Sequence, residues 1–267
     1  MDRDWNAIVK ANLQAVRESA PLVHNITNFV VMNSSANILL AQGAQPVMAH
    51  AVNEVEDMIK IASALVINIG TLTDEWVRAM ILAGKTANEI GVPVVFDPVG
   101  AGATKLRSEK TEEILTEVKP SVIRGNASEI NAIAGFEGAR GVDSVHDVDG
   151  IGEFAKALAK SHDCVVGVSG ERDLITDGEL TIRVANGVPL MTRVTGVGCG
   201  LSATVGAFIG VNENVFDATV SAFGFYALAG DLAFTMAKLP GSFMPAFIDA
   251  LHYLDENHLD ALKINHE

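Results

Sequence analysis

The sequence predicts an α/β fold in which a mostly parallel sheet is covered by helices. Three observations predict it. Short apolar runs alternate with longer helical runs as far as Gly170. Those short runs are apolar throughout and bounded by glycine or turn residues, as strands buried on both faces are. At 49% hydrophobic and 19% charged residues, the 267-residue chain has the composition of a globular protein with a sizeable core. That length suits one large α/β domain or two small ones.

The elements follow in order. The opening MDRDWNAIVKANLQAV is charged and amphipathic, and it lacks the apolar centre of a signal peptide. PLVHNIT (21–27) is a short apolar piece, followed by a helix, NFVVMNSSANILLAQG, that stops at Gly43. QPVMAH (45–50) reads as a strand and ASALVINIG (62–70) as a buried one. The helix TDEWVRAMILAGKTANEIG has Thr73 as N-cap, acids in its first turn and Gly91 as its stop. VPVVFDPVG (92–100), SVIRGN (121–126) and CVVGVSG (164–170) are further strands, each beside a helix. VDSVHDVDG (142–150) reads as a polar surface loop. After Gly170 the pattern changes. LITDGELTIRVANG is a hairpin turning at Asp177-Gly178, and three helices follow at roughly 199–211, 215–238 and 243–256. The most apolar tract, FDATVSAFGFYALAGDLAFTMAKL, is interrupted by Asp231 and reads as a buried helix, not a membrane span. No linker, repeat or low-complexity segment divides residues 1–267, so a single domain is expected.

The formal net charge of −14 argues against nucleic acid and against an anionic membrane as partners. Any phosphate must be held by local groups against a repulsive background. Two cysteines, Cys164 and Cys199, make no disulfide framework and fit a reducing cytosol.

Ligands of open α/β sheets bind at the carboxyl ends of the strands. That rule selects the loops beginning at Gly70, Asp97, Arg124, Ser169 and Arg193. In RVTGVGCG (193–200), glycines such as Gly196 and Gly198 let backbone N–H groups approach an anion at a helix start. No Gly-Lys-Ser/Thr follows, so this is not a Walker A loop, and a plain structural turn is an equal reading. Asp97 ends a buried strand, where a carboxylate needs a cation or donors. It reads as a magnesium ligand or as a cap. Arg124 suits phosphate. Asn126 and Glu129 share one face of a helix start, as a magnesium-associated pair or as simple helix capping. Ser169 offers a hydroxyl donor, or else merely turns the chain. His24, Asn25 and Asn28 form a polar knot in which His24 reads as a structural hydrogen-bonder. Met48 reads as core or as a pocket wall. One arginine, two acids and a glycine anion loop at strand ends, without a Walker lysine, together describe a phosphotransferase outside the P-loop class.

Over nearly its whole length the chain resembles the hydroxyethylthiazole kinases of the ribokinase-like superfamily. PLVHNITNFVVMNSSANILLAQGAQPVMAH, ALVINIGTL, VFDPVGAGAT, IRGNASEI, VSGERDLITDG, VTGVGCGLSA and LPGSFMPAFIDAL carry the resemblance. It implies a three-layer α/β/α sandwich without a separate lid domain. It also implies phosphorylation of the primary alcohol of 4-methyl-5-(2-hydroxyethyl)thiazole by ATP and Mg²⁺, in thiamine biosynthesis and salvage. Further implications are a cytoplasmic homotrimer with thiazole sites between subunits, Asn126 and Glu129 as the magnesium-associated pair, and Asp97 as a further acid of the metal site. Arg124, Ser169 and Gly198 are implied ATP contacts, and Met48, Gly196 and Asn25 implied thiazole contacts. Many superfamily kinases carry Asp as general base where Cys199 stands. A helix N-terminus lowers a thiol's pKa, so Cys199 is expected to be available as thiolate near neutral pH and to act as a weak base or orienting group. The rival readings are a sister kinase for hydroxymethylpyrimidine or pyridoxal and a non-catalytic nucleotide-binding regulator.

Overall fold

The computed structural model of the protein describes residues 3–136 and 148–266. Among these residues the centre is a nine-stranded sheet in the order β2-β1-β3-β4-β5-β6-β7-β8-β9. The strands are β1 (Leu22–Ile26), β2 (Gln45–Val47), β3 (Ala64–Asn68), β4 (Val94–Asp97), β5 (Val122–Asn126), β6 (Val165–Ser169), β7 (Asp173–Thr176), β8 (Thr181–Val184) and β9 (Ile264–His266). The pairings from β2 to β6 are parallel. The pairings of β6, β7, β8 and β9 are antiparallel. Hence the carboxyl ends of β1, β3, β4, β5 and β6 lie along one edge of the sheet.

Ten α-helices stand among the described residues: α1 (Trp5–Ser19), α2 (Met32–Gln42), α3 (Val55–Ile59), α4 (Asp74–Ile90), α5 (Lys105–Glu117), α6 (Ala127–Phe136), α7 (Val148–His162), α8 (Val197–Ile209), α9 (Val215–Met236) and α10 (Pro240–Tyr253). The period of two along each strand sorts its side chains between two faces. Val23, Val66, Val95, Val122 and Val165 enter one core with residues of α1, α2, α8, α9 and α10. Leu65, Ile67, Val94 and Phe96 enter a second core with α4, and Ile123, Val166 and Val168 a third with α6 and α7. The result is the expected three-layer sandwich. Fully burying each Val, Leu, Ile or Phe side chain contributes roughly 1.5–3 kcal/mol.

Most expected elements are present, with shorter bounds. Thr73 caps α4 by accepting from Trp76 N, and Gly91 ends it at φ 78°. The helix expected from residue 28 begins four positions later, at Met32. Asn28 is the reason. Its side-chain oxygen accepts from Val30 N and its backbone carbonyl from Val31 N, so a turn replaces the first helical turn. Of the polar loop expected over 142–150, residues 142–147 lie outside the described residues, and Val148 opens α7. No helix among the described residues is long and apolar enough to cross a membrane. In α9 the interrupting Asp231 accepts from Asn186 Nδ2 at 2.8 Å and Gly187 N at 2.9 Å.

Candidate active site

The strand register sets the site. Asn68 and Asp97 are partners at the ends of β3 and β4, and Asn126 and Ser169 at the ends of β5 and β6. Val95 and Val122 face α8 and α9, so Asp97 and Arg124, each two residues further on, face the same way. They meet the first turns of α8.

Asp97 is wholly buried. Its Oδ2 accepts from Asn68 Nδ2 and from Ser202 Oγ, both at 2.7 Å, and lies 3.8 Å from Arg124 Nη1. Its Oδ1 has no partner among the described residues. Burial pushes the carboxyl up to about 6, against the pull of Arg124 and the two donors. Arg124 Nη2 donates to Ser169 Oγ at 2.6 Å, while its Nε has no partner among the described residues. Asp173 accepts from Gly170 N at 2.9 Å and is likewise pushed by burial to about 6.

The glycine turn is the floor. Gly196 caps α8 at φ 95°, a conformation that side chains resist, and a Cβ there would lie 2.5 Å from Ser34 Oγ of α2. Gly198 lies over the guanidinium; a Cβ on it would sit 3.7 Å from Arg124 Nη1. Tyr226 Oη donates to Val197 O at 2.6 Å and pins the first turn of α8. The α8 N-terminus therefore brings free N–H groups and its positive end toward Arg124 and Asp97.

Cys199 takes a hydrogen bond from Asn28 Nδ2 at 3.6 Å. The expectation of a ready thiolate is corrected here. Burial, and then the nearby Asp97, push the thiol up to about 11, outweighing Asn68, Arg124 and Asn28, which favour the thiolate. Desolvation of the charged form is the largest cause. Cys199 is a neutral thiol at pH 7.

Asn126 and Glu129 form a capping pair: Asn126 Oδ1 accepts from Glu129 N at 3.0 Å, and Glu129 Oε2 from Asn126 N at 2.8 Å. The other oxygen, Oε1, accepts from Gly100 N at 2.8 Å and so ties down the loop after Asp97. His24 is the structural hydrogen-bonder expected of it. Its Nε2 donates to Ala49 O at 2.7 Å, and burial pushes its pKa down. Asn25 is buried and turns back to donate to Val23 O of its own strand at 2.9 Å. The knot reaches Cys199 through Asn28 instead. Met48 is half-buried just beyond β2.

Four contributors escaped the sequence reading. Asn68 closes a buried strand as Asp97 does, a signal that could have found it. Ser202 and Tyr226 are polar atoms in apolar helices, visible only once their partners are placed. Arg107 of α5 donates to Ile69 O, Val99 O and Gly70 O at 2.6–2.8 Å, clamping two site loops together.

Described acids and ligating groups form no ready cluster of three or more His, Cys, Asp or Glu around a metal. The donor set still fits Mg²⁺ brought in with a nucleotide. Asp97 Oδ1 is an unpartnered hard oxygen, and one or two carboxylates with phosphate oxygens and water suffice for that ion.

The profile described as the hydroxyethylthiazole kinase family matches residues 13–257. The hydroxyethylthiazole kinase of Thermoanaerobacter pseudethanolicus is 53% identical over 248 residues, covering 92% of this chain and 94% of that one. The hydroxyethylthiazole kinase of Desulfotalea psychrophila is 48% identical over 250 residues, covering 93% and 92%. The solved structure of the hydroxyethylthiazole kinase from Pyrococcus horikoshii superposes with a TM-score of 0.91 at 44% identity, covering 98% and 99%. A pyridoxal kinase from Staphylococcus aureus, solved with AMP-PCP, shares the fold at a TM-score of 0.67 and 14% identity, covering 93% and 99%.

Proposed function

The chain belongs to the hydroxyethylthiazole kinase family, and on that premise we propose that it transfers the γ-phosphoryl group of ATP to the primary alcohol of 4-methyl-5-(2-hydroxyethyl)thiazole, in thiamine biosynthesis and salvage. The observation that carries the residue roles is the approach of Arg124, Asp97 and the α8 N-terminus to one another at the strand ends.

The roles follow from the chemistry of each group. Arg124 and Ser169 bind phosphate oxygens of ATP, the guanidinium by charge-assisted hydrogen bonds. The N–H groups from Gly196 to Cys199 face the transferring phosphoryl group, where fixed donors stabilise charge that develops. Gly196 also walls the thiazole with Met48, and Asn25 backs that wall from β1, its side chain tied to Val23 O. The Cys199 thiol, neutral at pH 7, orients the acceptor hydroxyl, whose proton passes to the transferred phosphoryl group as the new O–P bond forms. Phosphoryl transfer tolerates this, since positioning and electrostatics supply most of the acceleration. Asp97 would hold Mg²⁺ through its unpartnered Oδ1, and Glu129, with Asn126, would act on the ion through its waters. When bound, that ion neutralises phosphate charge. With a net charge of −14, the chain depends on these local groups to hold ATP.

Residues 1–267 form one kinase domain in this reading. The active form is a cytoplasmic homotrimer whose interfaces complete the thiazole pocket, and light scattering of the active enzyme tests it. A coupled ADP-release assay tests the activity. Hydroxyethylthiazole should be turned over far faster than hydroxymethylpyrimidine or pyridoxal. A preference for either of those overturns the substrate assignment.

A further inference from the structure

Asp97 is held lopsidedly. Two donors from different elements, Asn68 on β3 and Ser202 on α8, converge on Oδ2, while Oδ1 is left with none among the described residues in a fully buried setting. If only the cost of burying the carboxylate mattered, one donor on each oxygen would lower it better. The asymmetry is built in from both sides. Asn68 cannot turn its amide over. Its Oδ1 already accepts from Asn28 Nδ2 at 2.8 Å and from Gly70 N at 3.0 Å, so its NH₂ must face Asp97. The approach of Asn28 needs glycine at 70, where a Cβ would lie 2.5 Å from Asn28 Nδ2. Ser202 is equally committed. Thr204, Thr219 and Ser221 return their hydroxyl protons to carbonyls four residues back in their own helices. Ser202 alone of these four gives its proton across to another element. It also stands three residues after Cys199, on the same face of α8.

We propose that Ser202 and Asn68 are positioning residues for phosphoryl transfer: they grip Asp97 by Oδ2, so that Oδ1 is presented to the phosphate and magnesium side of the crevice. The inference rests on the reading of Asp97 as an acid of the kinase site. A merely structural pair would matter to stability and leave the chemistry alone. A positioning pair changes kcat and the use of magnesium while the fold survives.

The test compares Ser202→Ala, Ser202→Thr and Asp97→Asn in the full-length enzyme. It measures kcat and KM with hydroxyethylthiazole, thermal midpoint, and the Mg²⁺ concentration that half-saturates ADP binding in calorimetry. Ser202→Ala should lower kcat by roughly 10-fold or more, as loss of one electrostatic positioning contact does. Its KM for the thiazole should stay near wild type, and its magnesium requirement for ADP binding should rise. Ser202→Thr keeps the hydroxyl and should recover most of both losses. Asn68→Ala should repeat the Ser202→Ala pattern and stands in for it if that variant does not fold. Wild-type kcat and magnesium dependence in Ser202→Ala, beside an inactive Asp97→Asn, overturns the positioning role alone. A loss that Ser202→Thr does not restore, with a lowered thermal midpoint, also overturns it, in favour of a structural role. A fully active Asp97→Asn overturns the reading beneath it.

Discussion

Asp97 and Glu129 are two acids beside the same loop, and the protein holds them in opposite ways. Glu129 gives each oxygen one backbone N–H, from Gly100 and Asn126. Asp97 has both its side-chain donors on one oxygen and leaves the other bare. Asp173 stands between them, with a single backbone donor from Gly170. A carboxylate whose oxygens are all satisfied serves the fold well. A buried carboxylate with a bare oxygen costs stability, and is expected where a ligand will supply what is missing. The comparison therefore assigns reactivity first to Asp97, and makes Glu129 chiefly a framework acid that ties the loop after β4 to the start of α6.

Asp97→Asn carries the largest expected effect. Removing the charge presented to the crevice should lower kcat by about 10²–10⁴-fold. Steady-state assays at saturating ATP and Mg²⁺ check it, and a loss below 10-fold would erase the contrast with Glu129. Arg124→Ala comes next. Losing a charge-assisted phosphate contact should cost roughly 2–4 kcal/mol in kcat/KM for ATP, with the fold intact because the residue ends a strand. A folded variant with wild-type kcat/KM removes Arg124 from the site.

Cys199 sharpens the comparison from the acceptor side. Cys199→Ala should keep a measurable rate, lower by about 10–100-fold at most, since the anion turn and Arg124 remain. Cys199→Asp should exceed it, because a carboxyl, with its far lower ordinary pKa, offers more of its basic form at pH 7 than this thiol, held at about 11. An Asp variant slower than the Ala variant contradicts the reading, as does a phosphate-mass adduct on Cys199 during turnover. The smallest effect concerns Asp173. Its carboxyl is raised from 3.8 to about 6, so the native state holds that proton more tightly than the unfolded chain. This group's contribution to stability should fall as pH rises from about 4 to about 6 and stay lost above that. The change is on the order of 2–3 kcal/mol. Urea unfolding of wild type and Asp173→Asn at both ends of that window checks it. The slope attributable to residue 173 should vanish in the variant.

The buried strands were within reach of the sequence because strands buried on both faces leave an apolar signature, as ALVINIG and VPVVFDP do, whereas their order in the sheet was not. Helix stops at Gly43 and Gly91 were legible for the same local reason. The start of α2 was not, because Asn28 spends its side chain on the turn, and that choice depends on Asn68 arriving from β3. Asp97 and Arg124 were legible as polar groups closing apolar strands. The state of Cys199 was not. A helix N-terminus can be read from local sequence, but the burial that raises the thiol depends on what β3, β4, β5 and the Asn28 turn bring against it. Ser202 and Arg107 share that limit, since each acts on an element distant in the chain.

The most direct test sets the two acids side by side, measuring thermal midpoint and kcat for Asp97→Asn and Glu129→Gln. Glu129→Gln loses an acceptor for one backbone N–H, which costs about 1–3 kcal/mol, and its midpoint should drop by several degrees. Its kcat should fall less than that of Asp97→Asn, with the change centred on the magnesium requirement. Asp97→Asn should keep or raise its midpoint, because a poorly paired buried charge is gone, while its kcat collapses. This crossed pattern is the predicted result. Parallel losses of stability and rate in both variants, or a larger kcat loss in Glu129→Gln, would contradict it.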